Sequence, residues 1–446
     1  MKLFGTDGIR GRAGEFPLDS ISVRLLGREL ARRLSERGAR RRVVLGGDTR
    51  ESTPRIVADL AAGLREGGCG VAPAGIITTP GIAELVLELG AAAGIAVSAS
   101  HNPYEDNGIK IFGADGRKWP DEEEEYLEKK IVEGRGQHEP VTTPPPPDPD
   151  PGLTATYVSR LKGSVPADLD GLPVLMDVGN GAAFQIGPRA FHRAGAHVTA
   201  IHDAPDGRNI NDGCGALHPQ AMASRMRESG AALGVAFDGD ADRAIFADET
   251  GRVLDGDDAL WIIARDWKRR GLLSEGGVVG TVMSNFGLER ALARDGIAFR
   301  RAAVGDRHVA RLMDETGAVL GGETSGHILL APLSPAGDGI LTALVLSGIV
   351  HGNGGRLSEL ATLEKVPQTL RNVRVARRVP IDDAPEIRKA LTRAEQALEA
   401  RGRVFLRYSG TEPLLRILVE GLDAGEVDAI ANELEALIRK ELSAGG

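Results

Sequence analysis

Four short polar stretches of this 446-residue chain hold side chains able to do chemistry. In AVSASHNPYEDNGIKIF, Ser98, Ser100, His101 and Asn102 follow an apolar run and precede Pro103. A hydroxyl at a strand end is open to a transferring phosphorus or acyl carbon. Serine beside histidine in sequence does not set nucleophile–base geometry, however, so a polar turn is the competing reading. No Gly-x-Ser-x-Gly elbow is present, which counts against a hydrolase. In FDGDADR the carboxylates alternate, and in an extended segment Asp238, Asp240 and Asp242 share one face. Three converging carboxylates repel one another unless a hard cation joins them. Magnesium, which takes a few carboxylates plus phosphate oxygen, suits them better than an EF-hand calcium, because the terminal glutamate is missing. A solvated acidic turn competes with this reading, and Arg243 either holds a phosphate or lies in solvent.

The other two stretches read as recognition loops. GGETSGH offers Glu323, Ser325 and His327: carboxylate and hydroxyl recognise sugar hydroxyls, and imidazole does so or exchanges a proton. A polar connector is the alternative. RYSGTEPLLR combines Arg407, Ser409, Gly410 and Thr411, a guanidinium, two hydroxyls and open backbone N–H groups suited to cradling phosphate. An ordinary basic turn is again the alternative. The stretch is not a P-loop, since Gly-x-x-x-x-Gly-Lys-[Ser/Thr] is absent.

The elements that must position these groups alternate between strand and helix. Leu26, Leu30 and Leu34 have helical spacing within 16–38, Val43–Leu45 forms a short strand before Gly-Gly-Asp, and a helix over about Thr53–Gly67 follows. IAVSAS is a further strand, so the succession is α/β rather than a β-sandwich. DEEEEYLEKKIVEG, 121–134, has acidic residues first and lysines last, as a solvated peripheral helix would. PVTTPPPPDPDPG is poor core material and marks a boundary near residue 150. LPVLMDVGNGAA, AHVTAIHD and ALGVAFDGDADR make a second α/β set, and a third begins near Leu254 with a helix around Leu288–Arg294. After about Lys365 the pattern changes to a smaller α+β domain with a helix near 385–400 and a terminal helix.

Composition sets the class. With 54 Lys and Arg against 63 Asp and Glu, the net charge of −9 disfavours a nucleic-acid scaffold while leaving room for a local anion pocket. Cys69 and Cys214 are the only cysteines and form no spaced zinc or iron–sulfur motif. MKLFGTDGIRGRAG lacks an apolar signal core, and no run approaches the ~20 apolar residues of a membrane span, so a cytoplasmic protein is expected.

Taken in order, FGTDGIRG at 4–11, SASHNPYEDNGIKIF at 98–112, DGDADR at 238–243, GGETSGH at 321–327 and RYSGTEP at 407–413 resemble the α-D-phosphohexomutase family. NIN at 209–211, TVMSN at 281–285 and VGDR at 304–307 add to the likeness, which spans essentially the whole chain. The resemblance implies three related mixed α/β domains and a smaller C-terminal α+β domain around a central cleft, with bounds 1–155, 156–253, 254–366 and 367–446. It implies a phosphorylated catalytic Ser100 and Mg2+ held by Asp238, Asp240, Asp242 and a serine-phosphate oxygen. Arg10, Lys110, His101 and His327 then fall at the reacting group, with Lys110 a candidate for proton transfer. Arg243, Glu323 and Ser325 fall on the sugar, and Arg407, Ser409, Gly410 and Thr411 on its distal phosphate.

The implied reaction converts glucosamine 6-phosphate to glucosamine 1-phosphate through glucosamine 1,6-bisphosphate, supplying amino sugar for bacterial cell-wall precursors. The implied partner is the phosphosugar, with no nucleic acid and no membrane, and with a homodimer as an open option. Gly47 stands where relatives often carry a larger polar residue, so no phosphate role falls there. Thr324 stands where amino-sugar members commonly have glutamine, which makes glucose or mannose phosphates the alternative substrates. A metal-dependent phosphosugar phosphatase and a nonenzymatic anion binder are the alternatives from other classes.

Overall fold

The computed structural model describes residues 3–5, 7–39, 41–135, 142–165, 168–409 and 413–443, which form two compact units. The larger comprises Met1–Thr281 with Ala302–Thr362, the smaller Val282–Arg301 with Leu363–Gly446.

The larger unit opens with a six-stranded mixed sheet in the order Phe4–Gly5, Gly8–Arg12, Asp106–Gly113, Ala93–Val97, Arg42–Gly47, Gly70–Ile76. The central strand Ala93–Val97, AGIAV, is buried at every residue, which is why it reads as an unbroken apolar run instead of an alternating one. Helix Ser20–Glu36 starts where the Asp19 carboxylate accepts the Ser22 N–H at 3.1 Å, and it buries Leu26, Leu30 and Leu34 in the sheet's core. Thr53–Glu66 and Thr79–Leu89 both carry proline in the first turn, where the missing N–H costs nothing. The loops after Gly47 and Val97 leave the carboxyl ends of two parallel neighbours, so Asp48–Arg50 and Ser98–Asn102 emerge side by side.

A five-stranded sheet follows in the order Val253–Leu254, Ala244–Asp248, Leu233–Phe237, Pro173–Asp177, His197–Ile201. A third sheet pairs Val278–Thr281 in parallel with Leu320–Gly322, which runs antiparallel to Ile328–Leu330. Helix Gly339–Gly352 is apolar nearly all round and correspondingly buried. In the smaller unit an antiparallel sheet, Gln368–Arg374, Leu414–Gly421, Gly402–Tyr408, packs its apolar face with helices Pro385–Leu398 and Ala424–Ile438.

The acidic helix is present at Asp121–Arg135 and is peripheral, with Asp121, Glu122, Glu125, Lys129 and Glu133 exposed, but its inner face also carries charge. Glu123 and Glu124 are buried beside Leu127 and Ile131. Arg33 donates to Glu123 at 2.8 and 3.0 Å, and Arg307 pairs with Glu124. Arginines from other elements supply the charge that lets these carboxylates face inward. Among the described residues no helix is long and apolar enough to cross a membrane.

Candidate active site

Ser100 sits three residues beyond its strand with a left-handed backbone, φ 50°, in a region that non-glycine residues seldom occupy. What holds it there is a buried clamp. The Arg50 guanidinium, paired with Asp48 at 2.9 Å, donates to the carbonyls of Ser100 at 3.0 Å and Asn102 at 2.8 Å, and also to that of Pro103. Asn211 Nδ2 donates to the same Ser100 carbonyl at 2.9 Å. Asp48 accepts from Ser98 Oγ at 2.6 Å, and Ser98 Oγ accepts the Ser100 N–H at 2.9 Å. Burial raises the Asp48 pKa despite Arg50 and these hydroxyl donors.

Facing Ser100, the segment DGDADR is a tight turn and not an extended strand: Leu233–Phe237 has ended, and Ala241 is left-handed at φ 55°. The carboxylates converge because the chain folds back on itself, not because alternate residues share a strand face. Glycine is required at 239, where a Cβ would lie 2.6 Å from the Ser100 carbonyl oxygen. Asp238, Asp240 and Asp242 are buried, with one oxygen from each within 4.8 Å of the others. Ser100 Oγ donates to Asp238 Oδ2 at 2.6 Å and lies 3.2 Å from His101 Nδ1.

Burial, with Asp242 and Asp240 as neighbours, raises Asp238 well above the usual carboxylate range. Asp240 Oδ1 and Asp242 Oδ1 are buried without a hydrogen-bond partner. Oxygen donors left unpartnered in an acidic cluster fit a hard divalent cation such as Mg2+.

A ring of alternating charge borders the triad. Lys110 Nζ lies 2.9 Å from Asp240, 3.1 Å from Asp242 and 2.9 Å from Asp7. Asp7 also pairs with Arg10 at 2.6 Å and with Lys118, which reaches Asp306 at 2.6 Å. Burial works against a charge on Lys110, but Asp240, Asp242 and Asp7 outweigh it and raise its pKa well above the ordinary value. His327 lies 3.8 Å from Asp242 and 3.7 Å from Asp306, too far for hydrogen bonds. Burial opposes its protonation, yet Asp242, Asp306 and Glu323 lift its pKa to about 9. His101 goes the other way, to about 4, through burial and the nearby Arg243 and Arg10. A cavity of about 350 Å³ adjoins Lys110, Asp242 and His327, while Ser100, Glu323 and Ser325 are not on its wall.

The structure therefore gathers Ser100, His101, Lys110, Arg10, the three aspartates and His327. Arg243 joins them: its N–H donates to Asp238 at 3.2 Å, and its guanidinium is 3.8 Å from Asp242. Glu323 accepts the Gly305 N–H at 2.9 Å, and Ser325 Oγ is buried without a partner. Thr324 is engaged elsewhere, 3.3 Å from both oxygens of the buried Asp257. In the smaller unit Arg407 stands directly opposite Arg416 on the neighbouring strand. Ser409 is buried after that strand, and Gly410 and Thr411 lie outside the described residues. Sequence reading missed Asp7, Asp48, Arg50, Thr79, Lys118, Asn211 and Asp306. Thr79 Oγ1 donates to Asp240 at 2.6 Å. Asp7 lies inside FGTDGIRG, Asn211 inside NIN and Asp306 inside VGDR, so the motifs flagged these three without a role.

Comparison with known proteins agrees along the whole chain. The four domain models of the phosphoglucomutase/phosphomannomutase family match in order: α/β/α domain I at residues 1–137, domain II at 155–251, domain III at 255–366 and the C-terminal domain at 370–437. The chain is 46% identical to the phosphoglucosamine mutase of Koribacter versatilis, covering 99% of this chain and 97% of that one. It is also 46% identical to the protein of the same name from Deinococcus deserti, covering 98% of each. Among solved structures, a phosphoglucomutase/phosphomannomutase family protein from Burkholderia thailandensis superposes with a TM-score of 0.81 at 24% identity, covering 98% and 97% of the two chains.

Proposed function

The chain belongs to the phosphoglucomutase/phosphomannomutase family, and from that premise we propose that it interconverts glucosamine 6-phosphate and glucosamine 1-phosphate through phosphoserine at Ser100. The observation that carries this reading is the 2.6 Å contact between Ser100 Oγ and Asp238 within a buried triad of carboxylates. The amino-sugar assignment is supported by relatives named phosphoglucosamine mutase at 46% identity. The four domains are assigned to 1–155, 156–253, 254–366 and 367–446. A cytoplasmic site of action accords with two unpaired buried cysteines.

Asp238, Asp240, Asp242 and a phosphoserine oxygen would hold magnesium, which when bound offsets negative charge on the transferring phosphoryl group. The left-handed turn at residue 100 presents the phosphoryl group to the sugar, and the Arg50 clamp keeps it from turning away. In the first half-reaction the sugar 1-hydroxyl oxygen bonds to phosphorus as the Ser100 Oγ–phosphorus bond breaks. The hydroxyl proton passes to a base, and the departing Ser100 oxygen is reprotonated. His101 Nδ1, 3.2 Å from Ser100 Oγ and neutral with its pKa at about 4, is placed to accept the serine proton when Ser100 is rephosphorylated in the return step. Lys110, held between Asp240 and Asp242, adds a fixed positive charge beside the triad. Glucosamine 1,6-bisphosphate then reverses and returns its 6-phosphate to Ser100, releasing glucosamine 1-phosphate. Glu323, Ser325 and Arg243 orient the sugar, and His327 stands at the reacting group beside Asp242. Arg407, Ser409, Gly410 and Thr411 receive the phosphate that is not reacting, a role supported by the match of residues 370–437 to the family's C-terminal domain.

The test is incubation with glucosamine 6-phosphate, Mg2+ and a trace of hexose bisphosphate, with products followed by phosphorus NMR. Glucosamine 1-phosphate with total sugar phosphate conserved is expected, at a higher kcat/KM than for glucose or mannose phosphates. Release of inorganic phosphate without sugar 1-phosphate would overturn the mutase reading. A faster reaction with glucose or mannose phosphate would overturn the amino-sugar assignment alone.

A further inference from the structure

The five-stranded sheet ends in a polar cluster that the phosphoryl transfer does not use. Asp177 closes the strand Pro173–Asp177, His202 follows its parallel neighbour His197–Ile201, and Cys214 lies in the loop beyond. The carboxyl ends of parallel strands are where α/β sheets collect ligands. One donor atom from each residue, a carboxylate oxygen, an imidazole nitrogen and a thiol sulfur, lies within 4.8 Å of the other two. Asp177 and Cys214 are fully buried, whereas the His202 side chain is 27% exposed and leaves a route to solvent.

The contact between His202 and Asp177 is unusual. Nδ1 is 3.0 Å from Asp177 Oδ1 and buried, yet it has no hydrogen-bond partner. A hydrogen-bond distance without hydrogen-bond direction means that the two atoms are not aimed at each other. Two donors that share one tetrahedral ion at about 2.0–2.2 Å each stand about 3.4 Å apart, so this pair need open by only a few tenths of an ångström to admit one. Asp177 is already oriented from behind: Gly179 N–H donates to Oδ1 and Gly215 N–H to Oδ2, both at 3.0 Å. Such outer hydrogen bonds commonly orient ligating carboxylates.

We propose that Asp177, His202 and Cys214 form a second cation site, separate from the aspartate triad, for a zinc-like divalent ion with its remaining position open to solvent. A mixed oxygen, nitrogen and sulfur set selects a borderline-soft ion over magnesium. The ion braces the loop that carries Asn211, whose amide holds the Ser100 carbonyl at 2.9 Å. Its role is structural support for the turn that presents the serine.

The test uses the full chain, stripped with chelator and refilled with saturating Mg2+ to occupy the triad, then titrated with Co2+. Cobalt–thiolate charge-transfer absorption rising to one equivalent is expected. It should vanish in Cys214→Ser, persist in Cys69→Ser, and need at least tenfold more cobalt in His202→Ala. Cys214→Ser is nearly isosteric, and an unchanged circular dichroism spectrum will show that its fold is intact. Should it misfold, the partly exposed His202 carries the test through His202→Ala. Absence of the band in the wild type, its survival in Cys214→Ser, or unchanged cobalt affinity in His202→Ala overturns the site. None of these readouts involves turnover, so the outcome is independent of the mutase reading.

Discussion

Two buried clusters of charge touch Ser100, and they are balanced differently. Asp48 and Arg50 form a closed account: one carboxylate, one guanidinium, neither side chain exposed, with the spare donors spent on backbone carbonyls. The Asp238–Asp240–Asp242 turn is open, with two oxygens unpartnered and Asp238 driven toward protonation. The first cluster needs nothing from solution and fixes a backbone; the second is completed only by a cation from solution. Asp338 shows a further way to bury a carboxylate. It caps a helix by accepting from Leu341 N–H at 3.0 Å, receives the Tyr157 hydroxyl at 2.7 Å, and is raised by burial to about 7. The same side chain type can thus be buried with an internal cation, an external cation or a proton.

The largest effect should separate the side chain of Ser100 from the clamp on its carbonyl. Ser100→Ala should lower turnover by about 10⁴-fold or more and abolish phosphate incorporation, on the scale of nucleophile deletion. Its melting temperature should barely move, because the clamp does not use the hydroxyl. Turnover near wild type, or phosphate mapped to another residue at full rate, refutes the nucleophile. Next, Arg50→Met should destabilise the protein by about 3–5 kcal/mol by leaving Asp48 buried and uncompensated. Denaturant titration will show whether adding Asp48→Asn recovers part of that loss; no recovery would mean that the two charges do not balance each other.

Asp240→Asn tests the open cluster. Wild-type protein should gain about 2.7 kcal/mol of stability at Mg2+ one hundred times its Kd. The variant should gain little and turn over more slowly, and an equal magnesium-induced shift in both proteins would remove Asp240 from the ligand set. Asp338 gives a pH signature. Its folded pKa lies above the unfolded value, so the native state binds more protons between them and stability falls as pH rises. Between about pH 5 and pH 7 the wild type should lose about 2 kcal/mol relative to Asp338→Asn. Parallel stability curves would show that Asp338 holds no extra proton. The smallest effect is Thr324→Gln. With its hydroxyl directed at Asp257, the residue should shift the glucosamine-to-glucose ratio of kcat/KM by less than about twofold, or ~0.4 kcal/mol. A tenfold change would restore it as a selectivity residue.

These contrasts also mark what could be read from the residues alone. Alternating strand and helix patterns were legible because local periodicity decides them: the helix expected at Leu288–Arg294 is Phe286–Arg294, and that near 385–400 is Pro385–Leu398. Ser100, Lys110 and the three aspartates were legible through compact motifs, and the structure brings them together. The clamp was not. Arg50 sits 50 residues from Ser100, and nothing in GGDTR distinguishes a buried arginine from a solvated one. The inward face of the acidic helix was hidden for the same reason: Glu123 and Glu124 take their partners, Arg33 and Arg307, from distant parts of the chain. The triad was found for the wrong geometric reason, since alternation in sequence coincides with a turn whose shape depends on Gly239 fitting against Ser100.

The clamp has a consequence for a residue that must alternate between two chemical states. Every bond that Arg50 and Asn211 make to the Ser100 loop ends on a main-chain carbonyl: that of Ser100, Asn102 or Pro103. The grip is therefore indifferent to what the serine side chain carries. Whether its oxygen bears a proton or a phosphoryl group, the same acceptors are presented to the same donors. The loop need not be dismantled and rebuilt between one half of a catalytic cycle and the other.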